Sequence, residues 1–543
     1  MPETFEELSR KVVTSFLQSV VVVDDLASMR HEVGALPHPL VTPTREAIGV
    51  SIPSSTDTNS EEYKRHELNA TLSINAFAEK GLICGVIKPE PGEPFEDKAI
   101  KAALRADITV FDWQLRIGDD GQDNDPTNII KKIIDLEKSQ NRIRLISIYS
   151  AENPANIKDK IREILGPLGP FETEDNDYTF IQNALRIAIF AKDGVIGAEP
   201  SRTVKEDELP DKLIGEFTKM TMGLLSNAAL ESLAALRLNT HRILGKLPSD
   251  LDAPYLTNRA LLANPEEAEE YLTDLISEEL QSIIEEMNIG SKSANIDTIT
   301  KWLKAKSDAG KSYILKNAKG GNSANEPFTY EELNDLLDKG KEQWKSKNKV
   351  SPKIMQDLAL TDMFHCSEET CKSLDEKYVF AATMRSSYGS GKPKLKFGTI
   401  VMKPSSEPFY FVCIQQPCDC IIRTNKTKRN FVFFPLYKST DKYFQIIIKE
   451  ANEYNRFKCS ESAYDIISIE FTFPEEFRGL IEAEEIDAQL CFKDSEGNKL
   501  IWLGELKTQF ARRILHTVAA KLTRADVNDP EWLRLHSNKV SYD

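Results

Sequence analysis

Long apolar runs are missing from this chain of 543 residues. None approaches the ~20 residues that a membrane-crossing helix needs, so no spanning segment is expected. Cysteine is scarce, eight in all, too few over this length for a disulfide scaffold. The first residues, Met1-Pro2-Glu3-Thr4-Phe5-Glu6-Glu7, lack the basic n-region and apolar core of a secretory signal. These absences together predict a cytoplasmic protein with reduced thiols. Positive charge is short as well: 69 Lys and Arg face 85 Asp and Glu, a net charge of -16. With no excess of cations to neutralise phosphates, general nucleic-acid binding is not expected. Two local basic clusters, Lys392, Lys394, Lys396 and Arg423, Lys426, Lys428, Arg429, read as solvated loops.

What is present is ordinary globular material, 41% hydrophobic and 28% charged, enough for about two to four domains. The N-terminal third alternates strands with helices. Ser19-Val20-Val21-Val22-Val23 runs straight into Asp24-Asp25, as a buried strand delivering carboxylates to a sheet edge would. Further strands are predicted at 81–87, at 107–111 ending at Asp112-Trp113, at 143–149 ending at Ser150-Ala151, and at 185–191 ending at Lys192. Helices are predicted at about 60–80 and 95–105, after Asp125-Pro126, and within 155–165. Residues 26–59, with Pro37, Pro39, Pro43 and Pro53, have no periodicity and read as a long loop insertion. The pattern predicts a doubly wound α/β domain. Ligands of such sheets bind outside the carboxyl ends of the strands. A pair of acids, a lone acid, a hydroxyl and an amine gathered there can hold a divalent cation and a phosphoryl group.

With Asp24-Asp25, Asp112, Ser150-Ala151 and Lys192 in that order, residues from about 14 to 195 resemble the receiver domain of two-component response regulators. The resemblance implies a flavodoxin-like (βα)5 fold with strand order 2-1-3-4-5. It makes Asp112 the phospho-acceptor, and Asp24, Asp25, Asp112 and the backbone carbonyl of Gln114 the Mg²⁺ ligands. It also implies a histidine kinase or phosphotransfer protein as partner. The chemistry suits these residue types. An aspartate attacking a phosphohistidine or acyl phosphate is covalent catalysis, and two negative reactants need a cation between them. Lys192 offers a compact charge and Ser150 a hydroxyl to the phosphoryl oxygens. Three departures from the family stand out. Lys192 is followed by Asp193 where receivers usually have Pro, Ile189 occupies a usually aromatic switch position with Phe190 beside it, and the insertion leaves the acid-bearing strand. A haloacid-dehalogenase-type hydrolase needs Asp-x-Asp after its first strand, which neither Asp24-Asp25-Leu26 nor Asp112-Trp113-Gln114 provides.

Residues 201–375 are predicted to be a helical connector, with helix starts at Asn264-Pro265 and Thr329. His241 in Thr240-His241-Arg242-Ile243-Leu244-Gly245-Lys246 is loosely similar to a phosphotransfer histidine, although a structural role is commoner. Residues 376–543 change character. Short strands are expected at 378–380, 397–402, 409–414, 431–437, 444–448, 466–473, 488–492 and 500–503, with a hairpin turn at 494–498 and a helix at 509–523. They suggest a small barrel or sandwich. Cys366, Cys371, Cys418 and Cys420 lack paired zinc spacings and read as core or incidental thiols. Gln415-Gln416-Pro417-Cys418-Asp419 ends a strand and suits a pocket, and is similar to strand endings in atypical receiver proteins of bacterial anti-phage defence. The expected function is a Mg²⁺-dependent phospho-receiver, phosphorylated on Asp112 and signalling to the helical and β-rich regions, with an effector protein as a further partner. The alternatives are a receiver-like scaffold or phosphoryl decoy in a defence or stress pathway, and an effector enzyme in the C-terminal domain. No separate catalytic motif and no DNA-binding motif is visible.

Overall fold

The computed structural model describes residues 3–28, 67–89, 95–116, 123–124, 126–137, 142–262, 265, 267–308, 330–348, 361, 368–387, 391–422, 427–440, 444–450 and 453–522. Most of the predicted insertion, with Arg423, Lys426 and Cys366, lies outside the described residues. Two compact units are present. One comprises Met1–Arg242, Leu280–Lys311 and Tyr330–Lys341, the other Ile243–Glu279, Ser312–Thr329 and Glu342–Asp543.

The first unit opens with a helix not expected from the sequence, α1 (Phe5–Phe16). Thr4 and Glu7 close a reciprocal capping box at its start, two orphan donors satisfied at once. Then come β1 (Ser19–Val23), α2 (Ala70–Glu79), β2 (Ile83–Ile87), α3 (Phe95–Ala103) and β3 (Ile108–Phe111). After the small hairpin of β4 (Leu115–Arg116) and β5 (Asp123–Asn124) follow α4 (Thr127–Glu137), β6 (Arg144–Ser150) and α5 (Pro154–Leu165). A hairpin absent from the sequence reading, β7 (Glu172–Glu174) and β8 (Thr179–Gln182), precedes β9 (Leu185–Lys192) and β10 (Thr203–Val204). The parallel strands lie in the order β2-β1-β3-β6-β9. Along the outer edge of β9, β8 pairs antiparallel with the first half and β10 parallel with Ala191 and Lys192.

Helices cover both faces of this sheet. Val20, Val22, Val110, Tyr149 and Phe190 pack against α1, Phe77 of α2 and the Leu213, Ile214 and Phe217 side of α6 (Leu209–Thr221). Val23, Phe111, Ile146, Ile148 and Ile189 pack against α3, α4 and α5. Burial on both sides is why these strands read as continuous apolar runs. At the root of the insertion the Ser28 N–H donates to the Leu68 carbonyl, and Ala70 N–H to the Ser28 carbonyl, both at 2.9 Å.

The remaining helices are α7 (Leu224–Lys246), α8 (Asp252–Leu261), α9 (Glu267–Glu286), α10 (Ile289–Ser293), α11 (Ile296–Asp308), α12 (Tyr330–Asn348, broken at Gly340 with φ 74°) and α13 (Glu368–Thr383). The strand expected at Tyr378-Val379-Phe380 is therefore the end of a helix. Three apolar residues carry no period, and Phe380 turns inward to meet Tyr454 edge-on at 5.6 Å.

In the second unit come β11 (Thr399–Lys403), β12 (Phe409–Cys413), the short α14 (Pro417–Cys420), β13 (Lys428–Lys438), β14 (Ile446–Glu450), β15 (Glu453–Cys459), β16 (Ile467–Thr472), β17 (Glu484–Ile486), β18 (Gln489–Lys493), β19 (Lys499–Glu505) and α15 (Thr508–Leu522). They make one antiparallel sheet of order β14-β15-β13-β12-β11-β19-β18-β17, with β16 on the first half of β13. Among the described residues this is a single open hydrogen-bonded path, not the two facing sheets of a sandwich. Two apolar clusters fill the unit. One holds Ile400, Val412, Phe434, Ile448 and Phe457 with Ala511 and Val518 of α15, the other Val401, Phe411, Phe431, Phe433, Phe471 and Phe492. Among the described residues no helix is long and apolar enough to cross a membrane.

Candidate functional site

Parallel register brings the polar strand ends to one edge. Val23 pairs with Phe111, Phe111 with Ile148, and Ser150 with Ala191, so the residues just beyond β1 and β3 lie beside the ends of β6 and β9. Asp24 and Asp25 follow β1, Asp112 follows β3, and Ser150 and Lys192 end β6 and β9. Asp112 has its two carboxylate oxygens divided between partners. Oδ1 accepts from the Ser150 hydroxyl at 2.6 Å, and Oδ2 accepts from Lys192 Nζ at 2.7 Å. Lys192 Nζ also donates to Asp24 Oδ2 at 2.7 Å, while Asp24 Oδ1 takes the Leu26 N–H at 2.8 Å. Gln114 reaches Asp112 Oδ1 through its backbone N–H at 3.3 Å.

The charges are held out of water. Asp24 is 1% exposed, and Asp112 and Lys192 are each 4% exposed. Burial pushes the Asp24 carboxyl up to about 7, with Lys192 opposing and the Asp112 and Asp25 charges adding to the rise. Burial works against the Lys192 ammonium too, yet the Asp24 and Asp112 carboxylates outweigh it and hold its pKa above the ordinary value. Asp24, Asp25 and Asp112 each offer a carboxylate oxygen, all within 4.8 Å of one another. Three carboxylates gathered with one ammonium leave an excess of negative charge, which suits a hard divalent cation that takes oxygen ligands. The donor set fits Mg²⁺.

Two neighbours of the site, Tyr149 and Glu206, were not read from the sequence. Tyr149, beside Ser150, lies with its ring 5.9 Å from Lys192 Nζ and donates its hydroxyl to the Val204 carbonyl at 3.0 Å. Glu206 accepts the Asn69 N–H at 3.2 Å on both oxygens, and its carboxyl is raised by burial, against the pull of the Asn69 N–H and Lys192. Trp113, next to the acceptor, is buried, with Lys160 Nζ 5.4 Å from its ring. A tyrosine inside an apolar run reads as core, and Glu206 is distant in sequence, so only tertiary structure reveals either. Asp193 is exposed and Ile189 is fully buried on the sheet face opposite Phe190.

The other sequence candidates lie elsewhere. His241 sits exposed on α7. Cys413 and Cys420 are buried and Cys418 is exposed, with Cys420 Sγ donating to the Gln416 carbonyl at 3.3 Å. The side chain of Cys371 is outside the described residues. Lys428 and Arg429 pair with Glu470 and Asp419 at 2.8 and 3.2 Å. The second unit contains a cleft of about 1300 Å³ lined by Lys392, Lys394, Lys396 and Arg512 among others. Lys394 and Lys396 already face Glu482 and Glu505 at 3.7 and 3.0 Å.

A family model described as the response receiver domain matches residues 16–196. Residues 16–196 are a response receiver domain. A receiver domain of this kind supports response-regulator, two-component signalling. No curated protein and no solved structure matched the chain.

Proposed function

We propose that this protein is a phospho-receiver whose Asp112 accepts a phosphoryl group from a histidine kinase or phosphotransfer protein. The observation that carries the reading is the division of the Asp112 oxygens between Ser150 and Lys192 inside a buried acidic triad. An Asp112 oxygen attacks phosphorus, a new O–P bond forms, and the bond from phosphorus to the donor's imidazole nitrogen breaks with its electron pair. The imidazole then takes a proton from water. Lys192 and Ser150 are placed to donate to the phosphoryl oxygens once these lie on Asp112. Asp24, Asp25, Asp112 and the Gln114 carbonyl would hold Mg²⁺, which when bound offsets the negative charge between nucleophile and phosphoryl group. The parallel order β2-β1-β3-β6-β9 supports a flavodoxin-like doubly wound fold for this part, with residues 201–375 and 376–543 as the regions that receive the signal.

A second reading has its own support. Lys192 spans Asp24 and Asp112 at 2.7 Å each, an arrangement that also suits an inert scaffold. One experiment separates the two. The protein is incubated with acetyl phosphate and Mg²⁺ and its intact mass is measured, with Trp113 fluorescence followed on adding beryllofluoride. A phosphoryl adduct and a fluorescence change that Asp112→Asn abolishes are expected. Absence of both from the native chain overturns the phospho-receiver and leaves the scaffold. The defence setting rests on the resemblance of the strand ending at Asp419, and equal phage sensitivity of cells carrying native or D112N protein would remove it.

A further inference from the structure

Tyr149 touches more of the phosphoryl site than any role in packing requires. It precedes Ser150 on β6 and is 2% exposed. Its ring lies 5.9 Å from Lys192 Nζ, within reach of a cation–π attraction. Its hydroxyl donates to the Val204 carbonyl at 3.0 Å, and Val204 is the register partner of Lys192 in the pairing of β10 with β9. One side chain thus joins the amine, the strand laid beside that amine and, through the backbone, the hydroxyl bonded to Asp112. Burial, with nearby acids adding, keeps the phenol protonated well above its ordinary pKa, so it remains a donor.

Val204 leads out of the site. Two residues on, Glu206 takes the Asn69 N–H that opens α2, and α6 begins at Leu209. The segment from Thr203 to Leu209 is therefore held by Tyr149 at one end and by the start of α2 at the other. Ile189 faces α3, α4 and α5 across the sheet, so it has no access to this segment.

We propose that Tyr149 is a positioning residue that couples the state of Asp112 to β10 and α6. The inference rests on Asp112 being a phosphoryl acceptor. Lys192 and Ser150 are the two side chains bonded to Asp112, and a phosphoryl group there gives both of them new oxygens to follow. Tyr149 is in contact with the first and covalently next to the second. A shift of either acts on the O–H···O bond to Val204, and so on the strand that leads into α6.

Tyr149→Phe tests this in the full chain, because it keeps the ring beneath Lys192 and deletes only the hydroxyl. Hydrogen exchange of peptides covering 203–221 is compared with and without beryllofluoride and Mg²⁺, and scored per adduct formed as measured by intact mass with acetyl phosphate. The native chain is expected to change exchange over 203–221 severalfold on forming the adduct, and Y149F to lose most of that change. Unaltered protection of β3 and β6 in unmodified Y149F shows that the variant is folded. Tyr149→Leu, which removes the aromatic face as well, is expected to slow adduct formation severalfold. The coupling is overturned if Y149F responds like the native chain, or if native protein forms the adduct with no change over 203–221. If the native chain forms no adduct at all, the phospho-receiver reading falls and this coupling falls with it.

Discussion

Lys192 is the residue on which the site balances, since it sits between two buried carboxylates with both contacts at 2.7 Å. Deleting one partner of a buried ion pair leaves charge uncompensated and costs about 3–5 kcal/mol. Lys192→Met is therefore expected to lower unfolding stability by about 3 kcal/mol in urea titrations at pH 8, along with phosphoryl acceptance. Unchanged stability would mean that the ammonium is not paired as the structure has it. A second residue-scale expectation concerns the thiols. Burial pushes Cys84 up to about 12 and Cys459 to about 11, while Cys418 is exposed. Thiolate is the reactive form, so iodoacetamide at pH 7.5 should label Cys418 ahead of the other described cysteines, as read by peptide mass mapping. Reversed order would contradict the burial. The polar strand ends were legible because both faces of the sheet are covered, so each buried strand is an apolar run with an abrupt end. Tyr149 was not, since nothing in Ile148-Tyr149-Ser150 distinguishes a core tyrosine from one bonded across two strands.

At the scale of elements, two features invite measurement. Asp211 at the start of α6 pairs with Arg10 of α1 at 2.7 Å and with Lys80 at 2.8 Å. Burial tends to raise its carboxyl, but Lys80 and Arg10 win and hold it below the ordinary value. A depressed pKa stabilises above the unfolded-state value near 4 and is lost as pH falls through the folded one. Asp211→Asn should then cost well under 1 kcal/mol at pH 7, because the group is half exposed. The gap from the native chain should close as pH drops from about 4 towards 2. A gap that persists there would assign the effect to something other than the charge. Gly504 is a sharper case. It lies where the register of β11 and β19 shifts, with φ 146°, and an added Cβ would stand 2.6 Å from Met384 Cε. Gly504→Ala should destabilise by about 1–3 kcal/mol chiefly through backbone strain, because Met384 Cε is the free end of a flexible side chain that can move aside, and Met384→Ala, compared with the same change in the native chain, should not restore the lost stability. Full rescue by the second change would exclude the strain. The elements that escaped the sequence have a shared cause. α1 carries its apolar stripe in only twelve residues behind a four-residue capping box, β7 and β15 alternate little, and α13 hides its helical period behind three consecutive apolar residues at Tyr378-Val379-Phe380.

For the molecule as a whole, the division into two compact units makes the receiver's response separable from the rest. A ligand that binds only the folded receiver stabilises the unit containing it by RT ln(1 + [L]/Kd), about 2.7 kcal/mol at a hundredfold excess over Kd. At roughly 2–4 °C per kcal/mol for a unit of this size, beryllofluoride with Mg²⁺ should raise one calorimetric transition by about 5–10 °C. The other transition, carried by the β-rich sheet and α15, should stay in place. In Asp112→Asn, beryllofluoride should move neither transition from where the ligand-free variant has it. Gly504→Ala should lower only the second, which labels the two peaks independently of the ligand. If both transitions move together with beryllofluoride, the units unfold as one cooperative body, and phosphorylation at Asp112 would then alter the stability of the β-rich sheet directly. If neither moves while the mass adduct forms, the receiver takes the phosphoryl group without tightening, and the output would have to follow from a change in exposed surface near α6 rather than from a change in stability.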